Sequence, residues 1–302
     1  MELNLNQLPP YLSLFTRDSL FCINLRNLDD VVQREYPLRG NQIKVLGSYR
    51  GLLCISKGND RDVAIWNPFT SRHKLLPPLD TEIRGGLDRS ACVHGFGYDP
   101  NINDYVLLRL VQTFQEPIES AVSIYSLRAN AWRQLEEMPY YLVNTKKMGV
   151  FVCDHLHWIM TRERVLNSAQ VLVAFDFLTQ GFVEMGLPAI DNRLDMDLAV
   201  LGGCLCLILY REQMGVDVWI MKEYRTRESW EMLFSIPDYV TTWGPVRPLA
   251  YSQNDSEVLV GVGSGNLVWY NLQTRRVNRF DIRGMPSSFE AEICLRTHVP
   301  VD

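Results

Sequence analysis

Six times along the chain a run of Val, Ile, Leu and aromatic residues ends on a polar residue, turns over a few polar positions and resumes with apolar or aromatic residues. The hairpins are LFCINLRNLDDVV (20–32), VAIWNPFTSRHKLLP (63–77), VSIYSLRANAWRQL (122–135), VLVAFDFLTQGFVEM (171–185), VDVWIMKEYRTRESWEMLF (216–234) and LVWYNLQTRRVNRFDI (267–282). Their polar pivots are Asn24, Asn67, Ser126, Asp176, about Lys222, and Asn271, separated by 43, 59, 50, 46 and 49 residues. A period of about 50 residues built on hairpins matches one four-stranded blade repeated around an axis.

Upstream of the hairpins lie further strand pairs: 43–56, 93–114, 148–160, 198–210 and 247–262. Helical periodicity is nearly missing, so the chain reads as a single all-β domain over 1–302, a β-propeller of about six four-stranded blades. The first unit has only three strands, about 11–16, 19–25 and 31–36, and the segment 287–299 supplies a fourth. Pairing of the N- and C-terminal strands then closes the ring and leaves no long sheet edge open. The alternative is a β-sandwich with appended strands.

Composition narrows the function. The chain is 47% apolar and 22% charged with a formal net charge of -5 and a pI near 5.6, the profile of a folded globule without the basic face that nucleic-acid binding requires. No segment reaches the ~18 apolar residues of a membrane span, and the N-terminus MELNLNQLPPYLSLF lacks the pattern of a signal peptide. The expected location is therefore intracellular, cytoplasmic or nuclear, with no membrane partner. Seven scattered cysteines, Cys22, Cys54, Cys92, Cys153, Cys204, Cys206 and Cys294, give no CxxC pair and read as reduced thiols.

Read in order, several segments resemble the F-box-associated domain of plant F-box proteins, the F-box/kelch-repeat type included. They are GLLCIS (51–56) with IWNPFTSRHKLLP (65–77), GFGYDPNINDY (95–105), YSLRANAWR (125–133), LHWI (156–159), AFDFLTQGF (174–182), LGGCLCL (201–207), DVWIMKEY with ESW (217–230) and LVWYNL (267–272). The resemblance implies a non-catalytic module that recruits target proteins to an SCF-type E3 ubiquitin ligase. In that family an F-box docks on a Skp1-like adaptor and through it on a cullin. The chain enters strand pattern at once, and nothing in 1–40 has the pattern of F-box helices. The expectation is thus a propeller without its F-box, which binds the adaptor only if an F-box is supplied. The alternatives are a free-standing protein-binding module or competitor, and a propeller enzyme acting on glycans.

Candidate chemistry is sparse. His155 and His157 share one face of a strand, but no third ligand at suitable spacing accompanies them, so no metal is expected. Cys204 and Cys206 sit in an apolar run and read as buried thiols. Gly95 and Gly97 open no helix, which removes the geometry of a phosphate loop and leaves close backbone packing as their role. The acidic pairs Asp29-Asp30 and Glu136-Glu137 fall in turn-like segments. No catalytic residue and no cofactor are expected.

Loop length points to the working surface. In a four-stranded blade the first-to-second and third-to-fourth turns share one face of the ring, and the remaining connections share the other. The first set is short and alike, whereas 78–92, 113–120, 137–147, 161–170, 186–196, 210–216 and 237–246 are unlike one another. Irregular loops on a rigid scaffold are where binding resides. Arg and aromatic residues dominate interface energetics, so the expected protein-binding anchors are Arg84, Tyr140, Tyr141, Arg162, Arg164, Arg211, Tyr239 and Trp243. The target protein itself is not specified by these residues.

Overall fold

The computed structural model describes all residues except 1–9, 40–42, 58–61, 80–89, 115, 117, 137, 144–147, 166, 242–243, 281, 283 and 302. Three strands open the chain: β1 (Pro10–Phe15), β2 (Ser19–Asn24) and β3 (Asn27–Glu35). The next unit is β4 (Ile43–Tyr49), β5 (Leu52–Lys57), β6 (Val63–Asn67) and β7 (Arg72–Leu75), followed by β8 (Ser90–Asp99), β9 (Asp104–Thr113), β10 (Ser120–Ser126) and β11 (Ala131–Gln134). The fourth unit has its inner strand in two pieces, β12 (Tyr141–Leu142) and β13 (Val150–Val152), before β14 (His155–Thr161), β15 (Gln170–Asp176) and β16 (Gly181–Met185). Then come β17 (Met196–Leu201), β18 (Cys204–Arg211), β19 (Gly215–Met221) and β20 (Trp230–Ile236). A helical turn α1 (Asp238–Thr241) leads to β21 (Val246–Tyr251), β22 (Glu257–Val262), β23 (Asn266–Asn271), β24 (Val277–Arg279) and finally β25 (Glu290–Leu295).

Among the described residues these strands form six antiparallel sheets, the blades of a six-bladed propeller. Blade one has the order β25-β1-β2-β3, so the last strand of the chain is the innermost strand of the first blade. The pivots read from sequence all mark the ends of third strands, Asn24, Asn67, Ser126, Asp176 and Asn271 at the terminus itself and Lys222 one residue beyond β19. The reason is local chemistry. A side-chain oxygen at the strand end accepts from amides of the following turn: Asn67 from Phe69 and Thr70 (3.0 and 3.2 Å), Asp176 from Leu178 and Thr179 (2.8 and 3.2 Å), Asn271 from Gln273 and Thr274 (3.2 and 2.9 Å). Asn24 and Ser126 accept one such bond each. These bonds close the turn within itself, without contribution from a partner strand.

Blade five departs from this rule for a readable reason. Met221 carries no side-chain oxygen and offers only its sulfur, which accepts from the Arg225 amide at 3.2 Å, and the connection 222–229 is longer, ending in a 3-10 turn at Arg227–Ser229. Ser229 does the work from the far end, its hydroxyl accepting from the Glu223 amide (3.0 Å) and donating to the Thr226 carbonyl (2.7 Å).

No single central core exists. Each of six apolar clusters lies between two neighbouring blades: Tyr125, Phe96 and Leu107 of blade three against Leu52, Cys54 and Ile65 of blade two, for example, and Val218 and Phe234 of blade five against Val260 and Tyr270 of blade six. Both faces of most blade sheets are therefore covered, which is why strands such as VLVAF read as unbroken apolar runs rather than alternating ones. Blades three and four meet near the axis, where Gly95 and Gly149 form a parallel bridge and the Gly149 amide donates to the His94 carbonyl at 2.7 Å. A Cβ on Gly149 would stand 2.4 Å from the Trp158 ring, and one on Gly97 only 2.2 Å from Phe151. Close packing is thus the role of Gly97 and its neighbours.

The ring closes by pairing β1 with β25, from Pro10↔Leu295 to Phe15↔Glu290. The segment expected as a strand over 287–299 pairs only over Glu290–Leu295, and the rest is a tail tied to blade two. The Asn67 amide donates to the carbonyls of Thr297 (3.2 Å) and Val299 (3.0 Å), Thr297 donates to the Arg50 carbonyl (3.1 Å), and Val301 is buried among Leu46, Leu52 and Tyr125.

A second tie joins blades four and five. His157 is buried on β14, its Nδ1 faces the Val150 carbonyl at 3.3 Å and its Nε2 meets the Tyr224 hydroxyl at 2.9 Å. Nδ1 thus donates to the carbonyl, leaving Nε2 to accept from the phenol. Burial pushes the imidazole pKa down to about 3, which keeps it neutral.

Truncation after Leu295 removes a buried valine and the partners of Asn67, and is expected to cost about 2–4 kcal/mol in urea unfolding. Deletion of 287–302 also strips the inner strand and should abolish the cooperative transition, and a shortened chain melting like the parent would refute the closure. For His157 the folded pKa lies below the unfolded one near 6.5, so the unfolded chain binds the extra proton between these values. Its contribution is fully present above pH 6.5 and is lost on acidification at up to ~1.4 kcal/mol per pH unit. His157→Gln should flatten the stability curve between pH 6.5 and 4, and parallel curves for the two proteins would contradict this.

Candidate functional site

Strand direction sorts the connections onto two faces. The short turns after first and third strands lie on one face, with the start of β1 and the end of β25. The connections 114–119, 135–140, 162–169, 186–195 and 237–245 lie on the other. One expected long loop is short: β18 and β19 are joined by a tight turn over 212–214, with the Met214 amide bonded to the Arg211 carbonyl at 3.1 Å.

The structure brings several sequence-selected residues together on the loop face of blades three and four. Arg162 and Arg164 follow β14, and Tyr140 and Tyr141 stand at the entry to β12, where Tyr141 pairs with Thr161. Arg162 makes a two-pronged bond to Glu184, through Nε at 2.8 Å and through Nη2. That contact holds the Glu184 carboxyl below the usual carboxylate range, and the Tyr140 hydroxyl beside it acts in the same direction. Burial first, and then this carboxylate, push the Tyr140 phenol up. Gln112 fixes the backbone from below, donating to the Tyr140 carbonyl at 3.1 Å and accepting from the Leu142 amide at 3.1 Å. Arg164 reaches across to blade three and donates to the Phe114 carbonyl.

Around these polar groups stand apolar side chains that the sequence reading did not select. Phe114 is 50% exposed, Val165 64% and Val143 46%. An exposed phenylalanine and two valines thus lie on the same rim as the tethered arginines and tyrosines, and isolated exposed apolar residues are commoner than such a group. Phe114 was hidden because the apolar run DYVLLRLVQTF reads as strand to its end, whereas β9 stops at Thr113 and leaves Phe114 outside it. Val165 carries no comparable sequence signal.

The remaining candidates lie elsewhere. Arg211, at the end of β18, is spent on the ring, its Nη2 bonded to Asp217 at 2.6 Å and to Ser235 at 3.4 Å. Tyr239 lies in α1, while Arg84 and Trp243 fall outside the described residues. Along the axis runs a channel of about 1650 Å3, walled by the inner strands and crossed near the loop face by the Arg247–Glu292 ion pair. Among the described residues no cluster of three or more His, Cys, Asp or Glu side chains has metal-binding geometry. His155 and His157 are engaged with the Cys153 and Val150 carbonyls. No helix among the described residues is long and apolar enough to cross a membrane.

Comparison with known proteins agrees with this architecture. F-box protein CPR1 of Arabidopsis thaliana is 33% identical over 306 residues, covering 93% of this chain and 74% of that protein. A second Arabidopsis thaliana F-box protein is 30% identical, with 93% and 75% covered. An F-box/kelch-repeat protein of the same plant is 29% identical, with 92% and 76% covered. The family described as F-box associated beta propeller domain matches residues 21–285, and the chain belongs to it.

Proposed function

We propose that this propeller is the target-recognition module of an SCF-type ubiquitin ligase and that it grips a target protein with the loop face of blades three and four. The observation that carries this reading is the rim where exposed Phe114, Val143 and Val165 surround Arg162, Arg164, Tyr140 and Tyr141. Large apolar contacts supply affinity, and arginines already held in place by Glu184 and the Phe114 carbonyl lose little freedom on binding. Family membership supports a recognition role in such ligases. The module contributes no catalytic group, and ubiquitin transfer belongs to other subunits.

Docking on a Skp1-like adaptor, and through it on a cullin, is assigned to an F-box rather than to the propeller. The start of β1 lies on the short-turn face, so a domain joined ahead of it leaves the loop face open to a target.

The test is capture from plant extract with purified native chain and with Phe114→Ala/Arg164→Ala/Val165→Ser, scored by quantitative mass spectrometry. Proteins enriched by the native chain should fall at least tenfold with the variant, about the effect of losing one interface hot spot. Equal enrichment by a variant with unchanged melting would move the binding face elsewhere. Adaptor binding is measured separately, with and without an F-box fused ahead of Met1, and is expected only with the fusion.

A further inference from the structure

The interface between blades two and three changes character halfway up. Toward the short-turn face it is apolar, with Leu52, Cys54 and Ile65 against Phe96, Leu107 and Tyr125. Toward the loop face the same row becomes polar. On blade three His94, Arg109 and Ser123 are direct cross-strand partners and so share one side of the sheet, two residues from Phe96, Leu107 and Tyr125 respectively. On blade two Lys44 and Ser56 are cross-strand partners in one row with Val63, which packs in the same apolar cluster.

Arg109 sits at the centre of this row and is only 4% exposed, and among the described residues its Nε is buried without a hydrogen-bond partner and no carboxylate pairs with its guanidinium. A buried lysine or histidine escapes such a position by releasing its proton. Arginine does not, because its pKa lies above 12. A buried cation without a counter-charge costs several kcal/mol, and proteins ordinarily supply the missing anion from their own side chains. Here none of the described carboxylates does so. Cys92 and Lys44, nearer the loop face, are half-buried, so the row opens toward that side.

We propose that this row is an oxyanion-binding site in which Arg109 takes a phosphate or carboxylate group in its two-pronged donor fork, with His94, Ser56 and Ser123 lining the site. The planar fork matches such groups, and desolvation within the blade interface strengthens the bond. The site is separate from the rim of blades three and four and does not depend on the target-binding role given to that rim.

The test uses the full chain and inorganic phosphate against chloride at matched ionic strength. Saturating phosphate, about a hundredfold over its dissociation constant, should raise Tm by roughly 5 °C. Arg109→Leu, close in size and uncharged, should abolish the shift, while Arg109→Lys, which keeps the charge but loses the fork, should weaken phosphate binding at least tenfold. The lysine variant also keeps the test open if the leucine variant fails to fold. A second arm replaces phosphate with a mixed phosphoserine peptide library and its unphosphorylated counterpart. A phosphopeptide response without a free phosphate response places the oxyanion on a protein ligand, and a response to both assigns a general phosphate site. The proposal falls if neither probe moves Tm of the native chain, or if either Arg109 variant responds as the native chain does. The rim variant Phe114→Ala/Arg164→Ala/Val165→Ser should retain the full shift, which separates failure of this site from failure of the target-binding surface.

Discussion

Antiparallel pairing of β25 with β1 is the interaction on which the rest of the molecule depends, because no blade is stable by itself. Each sheet has two apolar faces and satisfies them only against its neighbours, as the six interblade clusters show. An open row of six blades would leave two such faces in water. Closure removes both at once by placing Leu12 and Leu14 of blade one against Leu249, Leu259 and Leu267 of blade six. It also spreads the constraint: the tail beyond β25 continues onto blade two through Asn67 and Val301, so the end of the chain binds one blade further than the strand itself. Gly51 shows how tightly this is fitted, since a Cβ there would stand 2.4 Å from Thr297. Six thin layers thereby behave as one unit.

The blade count and the turns were legible because their cause is local. An Asn, Asp or Ser at the end of a third strand bonds to the next amides wherever it lies in the fold, so five of the six pivots sit on a strand terminus. The sixth is displaced by one residue because Ser229 organises that turn from its far side, a bond across six positions that no strand pattern signals. Other features were illegible because they depend on neighbours. The inner strand of blade four is broken beside Gly149, where the backbone must pass against the Trp158 ring. The site shows the same division. Arginine and tyrosine were selected by residue type, and the structure adds that Arg162 and Arg164 are anchored while Arg211 is consumed by Asp217. Phe114 was missed because exposure is decided by where a strand stops, and apolar residues on either side of that point look the same.

The channel along the axis is bridged by polar bonds between inner strands. Glu292 on β25 accepts from Arg247 on β21 and from Ser48 on β4 (3.2 Å), so one carboxylate links the inner strands of blades six, one and two across the closure. Three neighbouring blades are thereby held at the axis by charge-assisted bonds, while their apolar layers hold them further out. A polar axis with apolar layers around it is the inverse of an ordinary domain. It follows from packing sheets side by side around a ring, because the layers meet between blades and leave the centre to the edges of the inner strands.

Strand direction finally separates the joined chain ends from the unequal loops. The beginning of β1, the end of β25 and the tail all lie on the short-turn face, where regular turns closed by their own side-chain bonds offer little variation. The opposite face carries the connections of unequal length, and these are free to differ because no blade packs on them. A substitution at Val165 or Phe114 alters a surface, whereas one at Asn67 or Gly51 alters the closure that every blade relies on. A propeller built this way holds its joined ends and its unequal loops about one blade height apart, so that changes on the loop face leave the closure untouched.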